Sequence, residues 1–248
     1  MYMCYNKDRI EVIMCDIYLI RHGFTPANNA SYNGQEKLSE IANIRDMPLE
    51  ITYGRVQAIE VGKYLQRITG KNLIYVSPYK RTMETMELAL SQVNFDYKII
   101  INNDLREIDS GVHYARTVNE LLKEYPEAKE VLDKLNDDPD NTRYLNGESQ
   151  IDVKNRLQNI SKEIKNISES NKYANIIIFA HGTVNKWLIY LLTGKNLDHT
   201  LKNGEIIKIS NDVVESVFLP NAYVPLGYRV DIEKYKELVR KNKNLDNI

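Results

Sequence analysis

Four histidines occur in 248 residues, at positions 22, 113, 181 and 199. Two share a setting. His22 follows the apolar run Ile17-Tyr18-Leu19-Ile20 and Arg21, and precedes Gly23; His181 follows the apolar stretch Asn175 to Ala180 and precedes Gly182. A neutral imidazole keeps one unprotonated nitrogen that can attack phosphorus. A backbone carbonyl holding the other N–H fixes the ring and raises its basicity. Arginine forks match phosphoryl oxygens, and Arg21 adjoins His22 while Arg81 lies just past a third apolar run, Leu73 to Val76, which stops at Ser77-Pro78. A second histidine, once protonated, donates to the same oxygens. A glycine after each histidine lets the backbone turn closely around a bound anion. Spacing alone assigns the attacking role to neither histidine.

The elements that must carry these residues follow from periodicity. Short apolar runs at 17–20, 73–76, 97–101 and 175–180 read as strands. Between them, helical spacing appears at Ala58, Val61, Leu65 and Ile68, and at Met83, Met86 and Leu90. Two short helices are expected at 117–124 and 126–135. A long one follows Gly147-Glu148-Ser149, with Ser149 and Asp152 as a capping box and Val153, Leu157, Ile160, Ile164 and Ile167 as its apolar stripe. A helix passes through Trp187 to Leu192, a hairpin turns at Asn211-Asp212 within 205–218, and 231–242 reads as a terminal helix. Buried strands alternating with amphipathic helices predict a three-layer α/β/α fold with a mostly parallel central sheet covered on both faces. Ligands of such sheets bind beyond the carboxyl ends of the strands. Arg21-His22-Gly23, the segment Ser77 to Arg81, and His181-Gly182 each sit past such an end, so three segments are expected to converge on one site.

At this point the chain resembles a family. Ile17 through Asn28, reading Ile-Tyr-Leu-Ile-Arg-His-Gly-Phe-Thr-Pro-Ala-Asn, is similar to the opening signature of the histidine phosphatase superfamily, the phosphoglycerate mutase-like or two-histidine phosphatases. Further blocks follow in order: Asp46-Met47-Pro48-Leu49 with Gly54-Arg55-Val56-Gln57-Ala58, then Ser77-Pro78-Tyr79-Lys80-Arg81-Thr82, then Leu105-Arg106-Glu107 with Gly111, then Gly147-Glu148-Ser149, and Phe179-Ala180-His181-Gly182. The resemblance spans roughly residues 15–195. It implies the phosphoglycerate mutase-like fold and a metal-independent, cofactor-free phosphoric monoester hydrolase. His22 would become phosphohistidine. Arg21, Arg81, His181 and Asn28 would hold the phosphoryl group, and Glu107 would protonate the leaving alkoxide and then activate water. The implied partner is a small phosphorylated substrate.

Two other readings use the same residues. A cofactor-dependent phosphoglycerate mutase returns the phosphoryl group to substrate, but the stretch from Glu107 to Gly147 offers only Arg116 and Arg143 for a substrate carboxylate, which favours hydrolysis. A catalytically silent phosphate-binding protein is the third. The chain also departs from the family pattern. Phe24 stands where relatives frequently carry an acid, the stretch Asn29 to Arg45 is longer than usual, and Pro220 to Tyr228 matches none of the blocks. His113 is placed at the pocket edge or on the surface, and His199, among polar residues, in solvent.

Composition excludes several other classes. Lys+Arg 33 against Asp+Glu 34 gives a formal net charge of −1, unlike a general nucleic-acid or anionic-membrane binder. Cys4 and Cys15 form neither a disulfide framework nor a Cys-x-x-Cys metal pair. The first fifteen residues carry Lys7, Asp8, Arg9 and Glu11 and so lack the apolar core of a signal peptide. A reducing, cytoplasmic location is expected, with residues 1–13 read as an N-terminal extension and 14–248 as one domain. Neither the substrate nor the oligomeric state is legible.

Overall fold

The structure is a computed structural model that describes residues 15–28, 37–170 and 172–245. The extension expected at 1–13 and most of the loop after Asn28 lie outside the described residues. Six strands form one sheet in the order β3-β2-β4-β1-β5-β6. They are β1 (Asp16–Arg21), β2 (Asn72–Val76), β3 (Tyr97–Ile101), β4 (Asn175–Ala180), β5 (Ile206–Ser210) and β6 (Val213–Phe218). Strands β1 to β4 run parallel, β5 runs antiparallel to β1, and β6 antiparallel to β5. The helices are α1 (Gly54–Leu65), α2 (Lys80–Leu90), α3 (Val118–Glu124), α4 (Ala128–Asp137), α5 (Gln150–Glu169), α6 (Gly182–Thr193) and α7 (Ile232–Leu245).

Alternation along the strands divides the core between two faces, because successive side chains point to opposite sides of a sheet. Ile17, Leu19, Leu73, Tyr75, Ile176 and Ile178 pack with Val153, Leu157, Ile160 and Ile164 of α5 and Val184 and Leu188 of α6. Tyr18, Ile20, Ile74, Val76, Ile177 and Phe179 pack with Val61 and Leu65 of α1 and Met86 and Ala89 of α2. This is the expected α/β fold with its mostly parallel sheet, helices layered on both sides. Cys15 is a buried filler of the first core, and burial pushes its thiol up to about 12.

Strand β3 departs from the expectation of a sheet covered throughout. It is an edge strand, and Tyr97 and Ile101 keep 45% and 58% of their surface exposed. The hairpin between β5 and β6 turns where expected: Asn211 and Asp212 have φ of 48° and 63°, the left-handed pair that a two-residue hairpin turn requires. Ser149 caps α5 as its spacing predicts. Its hydroxyl accepts from Asp152 N at 3.3 Å, and Asp152 Oδ2 accepts from Ser149 N at 2.7 Å.

Sheet register places the chemistry. Arg21 pairs with Ala180 and Val76 with Phe179. The residues that follow, His22, His181 and Ser77, therefore leave three adjacent strands side by side at one edge of the sheet.

Candidate active site

A hollow of about 310 Å³ opens at that edge. Arg21, His22, Thr25, Ala27, Asn28, Arg81, Glu107, Ser110, His113, Tyr114, Ala115 and Tyr144 line it. Every site residue expected from the sequence lines this hollow except His181, whose ring centroid is 5.2 Å from that of His22.

His22 is 4% exposed, and its Nδ1–H donates to the Gly23 carbonyl at 2.7 Å. That bond leaves Nε2 unprotonated, and it accepts from Nε of Arg81 at 3.2 Å. Burial, with Arg81 and Arg21 beside it, holds the His22 imidazole well below its ordinary value. The ring is thus neutral at pH 7, tautomerically fixed, and carries its lone pair toward the cations.

His181 is fully buried. Its Nε2 lies 2.8 Å from the Ser77 hydroxyl, while its Nδ1 is buried without a hydrogen-bond partner. Burial first, then Arg81, His22 and Arg21, holds this imidazole down as well. His181 is thus a neutral ring in hydrogen-bond contact with the Ser77 hydroxyl. His181 also precedes α6, whose N-terminal dipole favours negative charge there.

Main-chain carbonyls hold both arginines. Arg81, 3% exposed, donates from its guanidinium to the Ile44 carbonyl at 2.6 Å and lies over the Tyr79 ring. Arg21 donates to the Leu201 carbonyl. Asn28 turns its side-chain oxygen back to Thr25 N and Thr25 Oγ1, at 3.0 and 2.9 Å, which leaves its amide N–H₂ for a ligand.

Gly23 has a packing role as well. A Cβ there would meet the Gly54 carbonyl oxygen at 2.4 Å, and one on Gly54 would meet the Phe24 carbonyl at 2.1 Å. The glycines let the loop that carries His22 seat on the start of α1. Gln57 Oε1 then accepts from Phe24 N at 2.8 Å, and Thr85 Oγ1 from Gly23 N at 3.1 Å.

Glu107 is half-buried, and its Oε1 accepts from Ile108 N at 2.9 Å. Its segment is clamped from behind. Arg156 donates to the carbonyls of Asp104 and Arg106 and to Glu148, whose other oxygen accepts from Asp109 N at 3.0 Å.

A sequence model described as the histidine phosphatase superfamily (branch 1) matches residues 17–212. The chain belongs to the histidine phosphatase superfamily. It is 27% identical over 168 residues to fructose-2,6-bisphosphatase of Saccharomyces cerevisiae, an alignment covering 68% of this chain and 32% of the yeast protein. The chain thus spans about a third of the length of that curated relative. Among solved histidine phosphatase-like structures, the alpha-ribazole phosphatase of Shigella flexneri superposes with a TM-score of 0.61 at 24% identity, covering 86% of this chain and all of that one. A mycobacterial glucosyl-3-phosphoglycerate phosphatase superposes with a TM-score of 0.59 at 19% identity, covering 78% and 89%. These two likenesses concern the fold.

Residues that the sequence did not single out for this histidine phosphatase site are Thr25, Ser110, Tyr114, Tyr144 and Asn203. Asn203 donates to the His22 carbonyl at 3.0 Å and to Asn28 Oδ1 at 3.3 Å. His113 lines the hollow, its ring edge-to-face with Tyr144 at 5.0 Å. His199 is not simply solvated: its two ring nitrogens face Asp198 at 2.7 Å and Glu205 at 2.8 Å. It braces the turn whose Leu201 carbonyl takes Arg21.

Proposed function

We propose that the protein hydrolyses a phosphomonoester through a phosphohistidine on His22. What supports this reading above all is the fixed neutral tautomer of His22, with Nδ1–H on the Gly23 carbonyl and Nε2 facing Arg81. The phosphatase names of its relatives point the same way.

In the first step the phosphoryl group takes the place of Nε2's guanidinium partner. Nε2 attacks phosphorus, the P–O ester bond breaks, and Glu107 gives its proton to the departing alkoxide. The transition state spreads negative charge over three oxygens, so fixed cations and donors contribute most of the acceleration. Arg21, Arg81, the Asn28 amide and the Nδ1–H of His181 are those donors. In the second step the Glu107 carboxylate takes a proton from water, the hydroxide attacks phosphorus, and the N–P bond breaks. Phosphate leaves, His22 is neutral again and Glu107 is protonated again. Dividing the displacement this way makes two easier steps of one.

Rapid-quench labelling with a ³²P-labelled monoester tests the proposal. The wild type acquires acid-labile, base-stable phosphate and releases inorganic phosphate, and His22→Ala loses both. Turnover that survives intact in His22→Ala refutes the assignment.

A further inference from the structure

The hollow has two ends of different character. In-line displacement sets the leaving oxygen opposite the attacking nitrogen, so a phosphoryl group on His22 sends its alcohol away from Arg21, Arg81 and His181. The wall it meets there is Glu107, Ser110, His113, Tyr114 and Tyr144, with Thr25 and Ala27 opposite.

Among the described residues, that end carries one acid and no cation. Both arginines lining the hollow, Arg21 and Arg81, belong to the phosphoryl end. Several basic side chains on the surrounding segments are already paired: Arg106 and Arg156 with Glu148, Arg143 with Asp152, and both Arg116 and Lys37 with Glu124. The eight residues between Asn28 and Lys37 contain no Lys or Arg and one acid, Glu36. A second phosphate or a carboxylate on the leaving group would face Glu107 with no counter-charge. In contrast, the rings of His113 and Tyr144, 5.0 Å apart and inclined at 75°, present flat apolar surface with polar edges. Burial holds His113 toward its neutral form and keeps the Tyr114 and Tyr144 phenols protonated.

We infer that the alcohol released by this enzyme is uncharged and carries a planar ring, aryl-methyl or nucleoside-like, which Tyr144 and His113 select by stacking. The inference rests on the phosphatase reading above and narrows it to a substrate class.

Three esters whose alcohols have similar acidity test it: benzyl phosphate, 4-carboxybenzyl phosphate and n-butyl phosphate. The wild type should show a kcat/KM for benzyl phosphate at least about tenfold above that for 4-carboxybenzyl phosphate, from uncompensated charge beside Glu107. It should exceed n-butyl phosphate by about tenfold, from ring stacking. Tyr144→Leu should bring the benzyl-to-butyl ratio close to one, through KM, while Tyr144→Phe keeps it. Equal or better hydrolysis of the carboxylated ester overturns the inference and leaves the phosphatase reading standing. So does a benzyl-to-butyl ratio near one in the wild type. Failure to hydrolyse any of the three, with no label on His22, removes the phosphatase reading and this inference with it.

Discussion

The Nε of Arg81 stands 3.2 Å from the Nε2 of His22, on the lone pair that the Gly23 carbonyl leaves open by taking the Nδ1 proton. Without an anion the guanidinium caps the nucleophile. In the proposed mechanism the same N–H groups turn to the phosphoryl oxygens, so that a single side chain would both park the imidazole and stabilise the charge that its attack creates.

Arg81→Lys keeps the charge but loses the fork, along with the bond to Ile44 that aims it. Loss of one such donor should lower kcat by about 10²–10³-fold, or about 2.7–4 kcal/mol. Steady-state kinetics on any accepted monoester checks this, with circular dichroism to confirm folding. A fall of less than about tenfold would show that the guanidinium only packs.

The contact between Gly23 and Gly54 gives a second expectation. Either glycine changed to alanine drives a methyl into a backbone carbonyl, at 2.4 Å for position 23 and 2.1 Å for position 54. Backbone cannot yield as a side-chain tip does, so each substitution should cost about 1–3 kcal/mol or more. Gly54→Ala is the informative one, because it touches no ligand. Urea unfolding should show the loss, and kcat should fall as well, because α1 would no longer seat Phe24 and the loop that aims His22. Unchanged kcat in a destabilised Gly54→Ala would separate packing from catalysis.

What was legible in the sequence follows the range of the interactions involved. His22, Arg81 and His181 stand directly after short apolar runs, so local pattern located them at strand ends. The hairpin at Asn211-Asp212 and the Ser149–Asp152 cap were legible for the same reason. That β4 inserts between β1 and β2 was not, since a pairing 159 residues apart, Asp16 with Asn175, leaves no local trace. Tyr144 reaches the hollow from a turn in which Asn146 has a φ of 59°, a conformation its residue type does not announce. Asn203 meets His22 only because β5 lies beside β1. Gly23 was visible as a glycine, but its packing role depended on Gly54, which comes beside it only in the folded chain. His199 is exposed as expected, but its contact with Glu205, itself 1% exposed, was not legible because it depends on the folded turn.

The histidines divide by sign in their dependence on pH. For His22 and His181 the folded value lies below the unfolded one, near 6.5. The unfolded chain binds more protons as pH falls past about 6.5, so their contribution to stability is present above that pH and is lost as pH drops toward the folded value. His199 is raised, first by its hydrogen bond to Asp198 and then by Glu205. Its contribution is full below about 6.5 and is lost as pH rises through the folded value. Thermal unfolding across pH should show a wild-type Tm that declines on the acid side, with a shallower decline in the doubly substituted His22→Asn, His181→Asn protein. His199→Gln should lower Tm most below about pH 6.5 and converge on the wild type at alkaline pH. Convergence on the acid side instead would contradict the ion-paired state of His199.

Arg156 is the fourth test, because it acts on the acid only through another residue. It binds Glu148 at 3.2 Å and the carbonyl of Arg106 at 2.6 Å, and both it and Glu148 are largely buried. Arg156→Met removes the closer guanidinium partner of Glu148, Arg106 remaining at 3.4 Å, and leaves the carbonyls of Asp104 and Arg106 without that donor, which should cost about 1–3 kcal/mol in urea unfolding. Stability alone does not distinguish a positioning role from a structural one, but leaving-group dependence does. p-Nitrophenolate departs without a proton, whereas an alkoxide needs one in the transition state. If Arg156 holds Glu107 in register, Arg156→Met should lower kcat for n-butyl phosphate much more than for p-nitrophenyl phosphate. Equal loss on both esters would mean that the clamp supports the fold and leaves the proton donor where it was.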